Sequence, residues 1–501
     1  MASFRPASTA AGFLRPGSIS MSDLVTRPDV FVGGRWVPSR GGTEQPAVDP
    51  STGAAFGSAV LASTADVDAA VAAARDSFDA GVWSGRPPAE RAAVLRGAAA
   101  YLEQLGADAV DLLTRELGCP RWFSERAHVP NPIRHLRYYA DLIEREPLEE
   151  VSDDGTNRSL VIREPVGVVG AITPWNGPLS SPAIKIGPAL AAGCSVVLKP
   201  PPETPLTAYL LADAFAAAGL PEGVLSVLPG GRDIGVHLVR HPRVDKIAFT
   251  GSTAAGRQIV ADCAARIARV TLELGGKSAA IVLDDADIAH VVRTVIPMAF
   301  TVNGQLCMAQ SRILVPRRRQ AEFADALTAA LAALPVGDPF APETQIGPLV
   351  SERQRERVEG YLALAGEEGA RVLGGGRPRG LDHGYYVNPA LLADVDNRMR
   401  VAQEEIFGPV MAMIPYDSED EAVRIANDSI YGLSGSVWTA DRDHGLAIAR
   451  RVRTGMVSVN GAPQAWGTPF GGYKQSGIGR EMGPEGLRSF QELKSVALGL
   501  S

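Results

Sequence analysis

Apolar residues return along this chain in two rhythms that alternate. Between residues 165 and 274, short apolar runs at 166–172, 195–198, 224–228, 246–249 and 270–274 are separated by stretches such as 204–218 and 254–265. In those stretches apolar positions recur every three to four residues, the period of a helix with one buried face. The short continuous runs read as strands covered on both sides. Strand–helix alternation with short connections predicts a parallel, doubly wound sheet, which binds ligands beyond the C-terminal ends of its strands. A second run from 278 to 461 repeats the pattern. It has strands over 279–283, 312–315, 410–415, 434–439 and 456–460, and helices over 286–298, 321–334, 352–365, 419–426 and 442–452.

The flanking segments follow other patterns. Residues 31–39 (FVGGRWVPS) read as a short hairpin turning at Gly33-Gly34. Ser63 with Asp66 forms a capping-box pattern ahead of Val67, Ala70, Val71 and Ala74 at helical spacing. Pro87-Pro88 opens a helix over 88–105, and a further helix runs over 107–117. Around 148–162, Asp154-Gly155 is flanked by extended-type residues, which predicts a projecting β-hairpin. The stretch 467–483 is glycine-rich and reads as a loop packed over the body of the protein.

Composition narrows the function. The chain has 501 residues, is 46% hydrophobic and 21% charged, and so builds more than one core. A net charge of −7 argues against a general nucleic-acid binder. No apolar run approaches the ~20 residues of a membrane span; the longest candidate, 186–198, contains Gly, Pro and Ser. Four cysteines without a C-x-x-C pair suit a reducing, cytoplasmic compartment. Residues 1–22 lack acidic residues and read as a disordered tail, or an upstream start before Met21, rather than a transit peptide.

The candidate chemistry lies between Val270 and Gln310. Glu273 sits among Leu272, Leu274 and two glycines, an apolar setting that raises a carboxyl pKa toward a general base. Cys307 lies between two structured segments and offers a nucleophile. Other patterns carry less. The GSTAAG run at 251–256 is followed by Arg257-Gln258, so it is no P-loop, though it joins a strand to a helix where N–H groups meet phosphate. The glycines at 477, 479 and 483 have the wrong spacing for a dinucleotide fingerprint. His237 and His241 lack the intervening Glu of a zinc site, and no metal is expected.

Several stretches together resemble the aldehyde dehydrogenase superfamily. They are ITPWNGPL (172–179), VVLKPPPETPLTA (196–208), IAFTGSTAAG (247–256), LELGGKS (272–278), GQLC (304–307), EEIFGPV (404–410) and PFGGYKQSGIGRE (469–481). The resemblance covers roughly 30–490 and implies NAD(P)-dependent oxidation of an aldehyde to a carboxylic acid. It implies Cys307 as the nucleophile, Glu273 as the base, and the Asn176 amide with the Cys307 N–H as oxyanion donors, with Lys185 and Glu481 assisting proton movement. For the cofactor it implies Lys199 at the adenosine ribose, Gly251 and Ser252 at the pyrophosphate, Glu405 and Phe407 at the nicotinamide ribose, and Thr173, Pro174, Trp175, Leu274 and Gly275 lining the site. The implied architecture is a Rossmann-like cofactor domain (23–147 and 164–275), an α/β catalytic domain (276–475) and a small β element for oligomerisation (148–163 and 476–501). A homodimer or homotetramer follows from that element. Cys307 is expected in a loop before a helix.

Two departures bear on specificity. Many NAD-preferring members place a glutamate three residues after the motif lysine; here Pro202 stands there and Glu203 follows. NAD is expected, with NADP possible. An aromatic residue often follows Pro-Trp-Asn; here Gly177 does, with Ser180 and Ser181 on the helix beyond. These small residues widen a tunnel that Met308 and Trp466 would wall, which points to a bulky, apolar or aromatic aldehyde and no metal. The alternatives are a CoA-acylating enzyme of this fold, which usually lacks the base that Glu273 supplies, or a semialdehyde dehydrogenase.

Overall fold

A computed structural model describes residues 24–499; the expected tail at 1–22 lies outside them. The predicted parallel runs form two sheets. In the first, the order is Gly477–Ile478, Arg269–Glu273, Lys246–Thr250, Val168–Ile172, Ser195–Lys199, Leu225–Val227, Asp29–Val32 and Arg35–Pro38. The five central strands are parallel, and the outer ones antiparallel. From Val168–Ile172 the chain winds first toward Ser195–Lys199 and Leu225–Val227, then returns to place Lys246–Thr250 on the other side. This reversal opens a crevice at the strands' C-terminal ends.

The second sheet runs Arg371–Gly374, Ala390–Ala393, Val410–Tyr416, Arg312–Pro316, Ala279–Val282, Gly435–Trp438 and Ser458–Val459, parallel except at its first strand. Its strands Ala279–Val282 and Ala390–Ala393 are wholly buried, as continuous apolar runs require. The 148–162 hairpin is Glu149–Asp153 paired with Arg158–Pro165, and Gln491–Leu498 adds along its other edge.

Local chemistry explains most boundaries. Ser63 and Asp66 close the capping box of helix Thr64–Asp79. The two helices expected over 88–117 are one element, Pro88–Leu117, broken at Gly106, whose φ of 47° and ψ of −115° are not helical. The helix Pro130–Arg145 was not foreseen, because its Pro-Asn-Pro opening reads as a turn; proline is tolerated in the first helical turn, where N–H groups have no partner.

One long-range cap ties the first layer together. Thr204 gives helix Pro205–Ala217 no side-chain cap. Instead the buried Glu116, from helix Pro88–Leu117, accepts from Leu206 N (2.7 Å), Thr207 N (2.9 Å) and the Thr207 hydroxyl. Burial still pushes this carboxyl up to about 7. Glu116→Ala leaves those donors orphaned and is expected to cost about 1–3 kcal/mol. The check is a lower midpoint in thermal unfolding followed by circular dichroism.

Candidate active site

The thiol is delivered by a left-handed turn. Helix Ile288–Phe300 ends at Thr301, and Val302 and Asn303 then adopt φ of 54° and 58°. Asn303 is fully buried. Its amide donates to Gly118 O (3.0 Å) and Pro348 O (2.7 Å), and its oxygen accepts from Gly347 N (2.7 Å). Gln305, equally buried, accepts from Val350 N (3.1 Å) and donates to Val302 O (3.2 Å). Cys307 follows, half-buried at the wall of a cavity of about 480 Å³. Beyond it the chain enters strand Arg312–Pro316, not the expected helix, because a turn at 307–308 and irregular backbone over 309–311 lead straight into the middle of the second sheet. Burial pushes the Cys307 thiol up to about 12; the Glu405 and Glu273 carboxylates add to the rise, and the Cys307 and Met308 N–H groups oppose it.

Asn176 stands across from it on the segment after strand Val168–Ile172. Its Nδ2 donates to Gln305 O (2.8 Å), so one N–H fixes the amide against the thiol's own segment. The second N–H remains for the cavity that Asn176 and Cys307 both line.

Glu273 ends strand Arg269–Glu273 and is 2% exposed. Both its oxygens lack a hydrogen-bond partner among the described residues. The 469–472 loop covers it closely: a Cβ on Gly471 would sit 2.7 Å from Glu273 Oε1. Burial raises its pKa well above the usual carboxylate range; Glu481 raises it further, while Lys185 and Arg480 lower it. Lys185 is wholly buried in helix Ser180–Ala192 and pairs with Glu481 Oε1. Glu481 is held in turn by a backbone bridge to Phe470.

The cavity also brings together Pro174, Trp175, Gly251, Ser252, Leu274, Gly275, Glu405 and Phe407. Its donor set fits a dinucleotide. Helix Thr253–Ala264 begins here behind Ser252, whose hydroxyl caps Ala255 N (3.2 Å), so N–H groups and the helix dipole face an incoming phosphate. Glu405 accepts from Gly276 N (3.0 Å) and has acceptor capacity left for a ribose diol. Burial pushes its carboxyl up to about 7. Phe407, at φ 65°, meets Trp175 edge-on at 5.3 Å. Lys199 and Thr173 stand behind the lining. Lys199 Nζ donates to Gly230 O (2.6 Å) and Pro200 O (3.0 Å), and burial pushes it down to about 8. Thr173 N donates to Lys199 O (3.2 Å).

Residues unsuspected from sequence complete this cavity: Thr250, Arg353, Gln354 and Arg357. Gln354 Nε2 donates to Phe407 O (2.6 Å), and Arg357 donates to Glu405 O and Ile406 O, so helix Glu352–Glu367 grips the 405–407 loop. The run ERQRER reads as a solvated helix face, and no spacing sets these residues apart. Of the expected pocket walls, Gly177 and Ser181 adjoin, a Cβ on Gly177 falling 2.9 Å from Ser181 Oγ. Met308 is 39% exposed. Trp466 packs against helix Pro130–Arg145, with Arg134 4.0 Å over its ring and the His135 ring at 4.7 Å. None of these four is part of the cavity wall around Cys307.

Residues 36–496 match the aldehyde dehydrogenase family. The chain is 47% identical over 471 residues to geranial dehydrogenase of Castellaniella defragrans, covering 94% of this chain and 98% of that one. It is 41% identical over 472 residues to 3-succinoylsemialdehyde-pyridine dehydrogenase of a Pseudomonas species, covering 93% and 98%. Among solved structures, a Mycobacterium tuberculosis aldehyde dehydrogenase complexed with NAD+ superposes with a TM-score of 0.93 at 49% identity, covering 95% and 99%. A mutant aldehyde dehydrogenase C from Pseudomonas syringae, in complex with NAD+ and octanal, superposes at 0.90 with 38% identity, covering 93% and 96%.

The electrostatics of Cys307 are testable in the cofactor-free protein. Glu405→Gln removes a negative charge that disfavours the thiolate. At about pH 8 it is expected to speed alkylation of Cys307 by iodoacetamide severalfold, measured by mass spectrometry.

Proposed function

The chain belongs to the aldehyde dehydrogenase family, and from that premise we propose that it oxidises a bulky, apolar or aromatic aldehyde to its carboxylic acid with NAD as the hydride acceptor. The first sheet's layer is the dinucleotide-binding part and the second sheet's layer carries the nucleophile. The observation that carries this reading is a single cavity lined by Cys307, Asn176, the start of helix Thr253–Ala264 and Glu405, with the buried carboxyl of Glu273 among the charges that act on the Cys307 thiol.

Glu273 takes the proton of the Cys307 thiol and relays it toward the Lys185–Glu481 pair, and Sγ bonds to the aldehyde carbon. The Asn176 amide and the Cys307 N–H receive the oxyanion that forms. NAD, held by Glu405, Ser252 and the start of helix Thr253–Ala264, would supply the hydride acceptor needed to oxidise the Cys307 adduct to a thioester. Glu273 then takes a proton from water as its oxygen attacks the thioester carbon, and the C–S bond breaks to release the acid and restore the thiol. A carboxyl raised by burial holds that proton near neutrality, and the Lys185–Glu481 pair beside it is positioned to pass it on.

The substrate class rests on the small side of helix Ser180–Ala192. Gly177 and Ser181 carry no bulk next to Asn176, and Ile184 and Leu306 are half-buried apolar neighbours in sequence of Lys185 and Cys307. Lys185 is committed to Glu481 and is no anchor for a charged substrate. Geranial and octanal, named for two similar proteins, are apolar aldehydes.

Assembly is proposed through the sheet of Glu149–Asp153, Arg158–Pro165 and Gln491–Leu498 as a homodimer or homotetramer. Its outer strands keep unpaired edges and expose Val151 (53%) and Leu493 (65%), which a second chain would cover. Sedimentation is expected to give a dimer or tetramer; a monomer would overturn this.

Cys307→Ala is expected to abolish NADH production from aldehyde while retaining NADH binding, read by absorbance and fluorescence titration. Glu273→Gln is expected to leave a single burst of NADH and slow steady turnover by about 10²-fold or more. Because the Glu273 pKa is raised, wild-type kcat falls as the pH drops through a value above 4.5, the protonated carboxyl being unable to take a proton; that limb disappears in Glu273→Gln. Across an aldehyde panel, kcat/KM is expected to be highest for a bulky apolar aldehyde, and a maximum on a small charged semialdehyde would sink the substrate assignment.

A further inference from the structure

At one mouth of the cofactor cavity an ion pair spans the cleft between the two sheets. Arg353, in the first turn of helix Glu352–Glu367, lines the cavity, and its Nη2 lies 3.1 Å from Glu203 Oε1. Glu203 belongs to the loop between strand Ser195–Lys199 and helix Pro205–Ala217. In a doubly wound fold, the C-terminal end of the second strand of the first βαβ unit is where a side chain meets the adenosine ribose. Here that unit is Val168–Ile172, Ser180–Ala192 and Ser195–Lys199, so Glu203 and Arg353 stand at the ribose end.

The other charges at this corner are committed or opposed. Lys199 Nζ is turned onto the Pro200 and Gly230 carbonyls. Glu203 and Asp233 are the acidic groups that act on it. Pro202 supplies neither a carboxylate nor an N–H at the turn. Arg357 is bonded to backbone carbonyls of the 405–407 loop. Arg353 has an 83% exposed side chain and, among the described residues, Glu203 as its ion-pair partner. An exposed pair of this kind is weak and exchanges readily for a better anion. A guanidinium also binds phosphate through a planar fork of donors, which a single carboxylate contact leaves largely free.

We propose that the Glu203–Arg353 pair sets the choice between NAD and NADP: Glu203 repels a 2′-phosphate and holds Arg353 away from it, and Arg353, once released, is the phosphate's receptor. This rests on reading the cavity as the dinucleotide site.

The test is direct titration of the full-length protein with NADH and with NADPH, followed by nicotinamide fluorescence, in wild type, Glu203→Gln, and Glu203→Gln combined with Arg353→Ala. The quantity read is the ratio of the Kd for NADPH to that for NADH. Glu203→Gln is expected to lower this ratio about tenfold, and adding Arg353→Ala to return it to or above the wild-type value. A ratio that Glu203→Gln leaves within about twofold of wild type overturns the proposal. A gain that persists without Arg353 overturns Arg353 as the receptor. If both dinucleotides bind and only the ratio is constant, the cavity reading stands and this inference alone falls; if neither binds to wild type, both fall.

Discussion

The site depends on a turn that the backbone disfavours. Val302 and Asn303 take consecutive left-handed conformations, and a β-branched residue such as Val302 rarely adopts one. Each such residue costs on the order of 1–3 kcal/mol. What holds the turn is the Asn303 side chain, which binds three backbone groups from two distant segments, at Gly118 and at Gly347–Pro348. Removing the amide would release the strain and orphan buried partners at the same time, so the turn is over-determined. Its product is the placement of Gln305 and Cys307. The Gln305 carbonyl then orients Asn176, and the Asn176 amide is thereby referenced to the segment that carries Cys307.

Two buried carboxyls and one half-buried at the cavity show how one residue type is put to different uses by its partners. Glu116 receives three donors and closes a helix N-terminus. Glu405 receives one, from Gly276, and keeps acceptor capacity toward the cavity. Glu273 receives none. A buried carboxyl without donors is the least stable as an anion and the strongest as a base. The roles proposed for them follow the count of hydrogen bonds, from structural cap to ligand contact to proton acceptor.

Much of this was legible in the sequence. Most parallel strands appear as short apolar runs within a residue or two of their observed ends, because both faces are buried, while Ala390–Ala393 went unforeseen, four residues being too short a run to stand out. The long motifs pointed to Cys307, Asn176 and Glu405, which line one cavity, and to Glu273, which is buried at the end of its strand. Legibility failed where a role comes from tertiary contact rather than pattern. Gln354 and Arg357 sit in a charged run that looks like any solvated helix face, and their task is to grip carbonyls of a loop about fifty residues further along. The path after Cys307 was misassigned as helical, since four bridging residues carry no period. Trp466 was expected at the substrate and instead stacks between Arg134 and His135, contacts that a single aromatic in a loop cannot announce.

Cys307 and Glu405 are linked through two glycines. A Cβ on Gly275 would lie 2.8 Å from Glu405 Oε2, and one on Gly276 would strike the Cys307 carbonyl. Gly276 N also donates to Glu405. This dipeptide directly follows Glu273 and Leu274. One short segment thus runs from Glu273 to contacts with both Cys307 and Glu405, and the absence of side chains is what lets those two approach it. Any side chain there would push Cys307 and Glu405 away from the end of the strand that carries Glu273. The glycines matter less for conformational freedom than for the distance they permit, since neither adopts a positive φ.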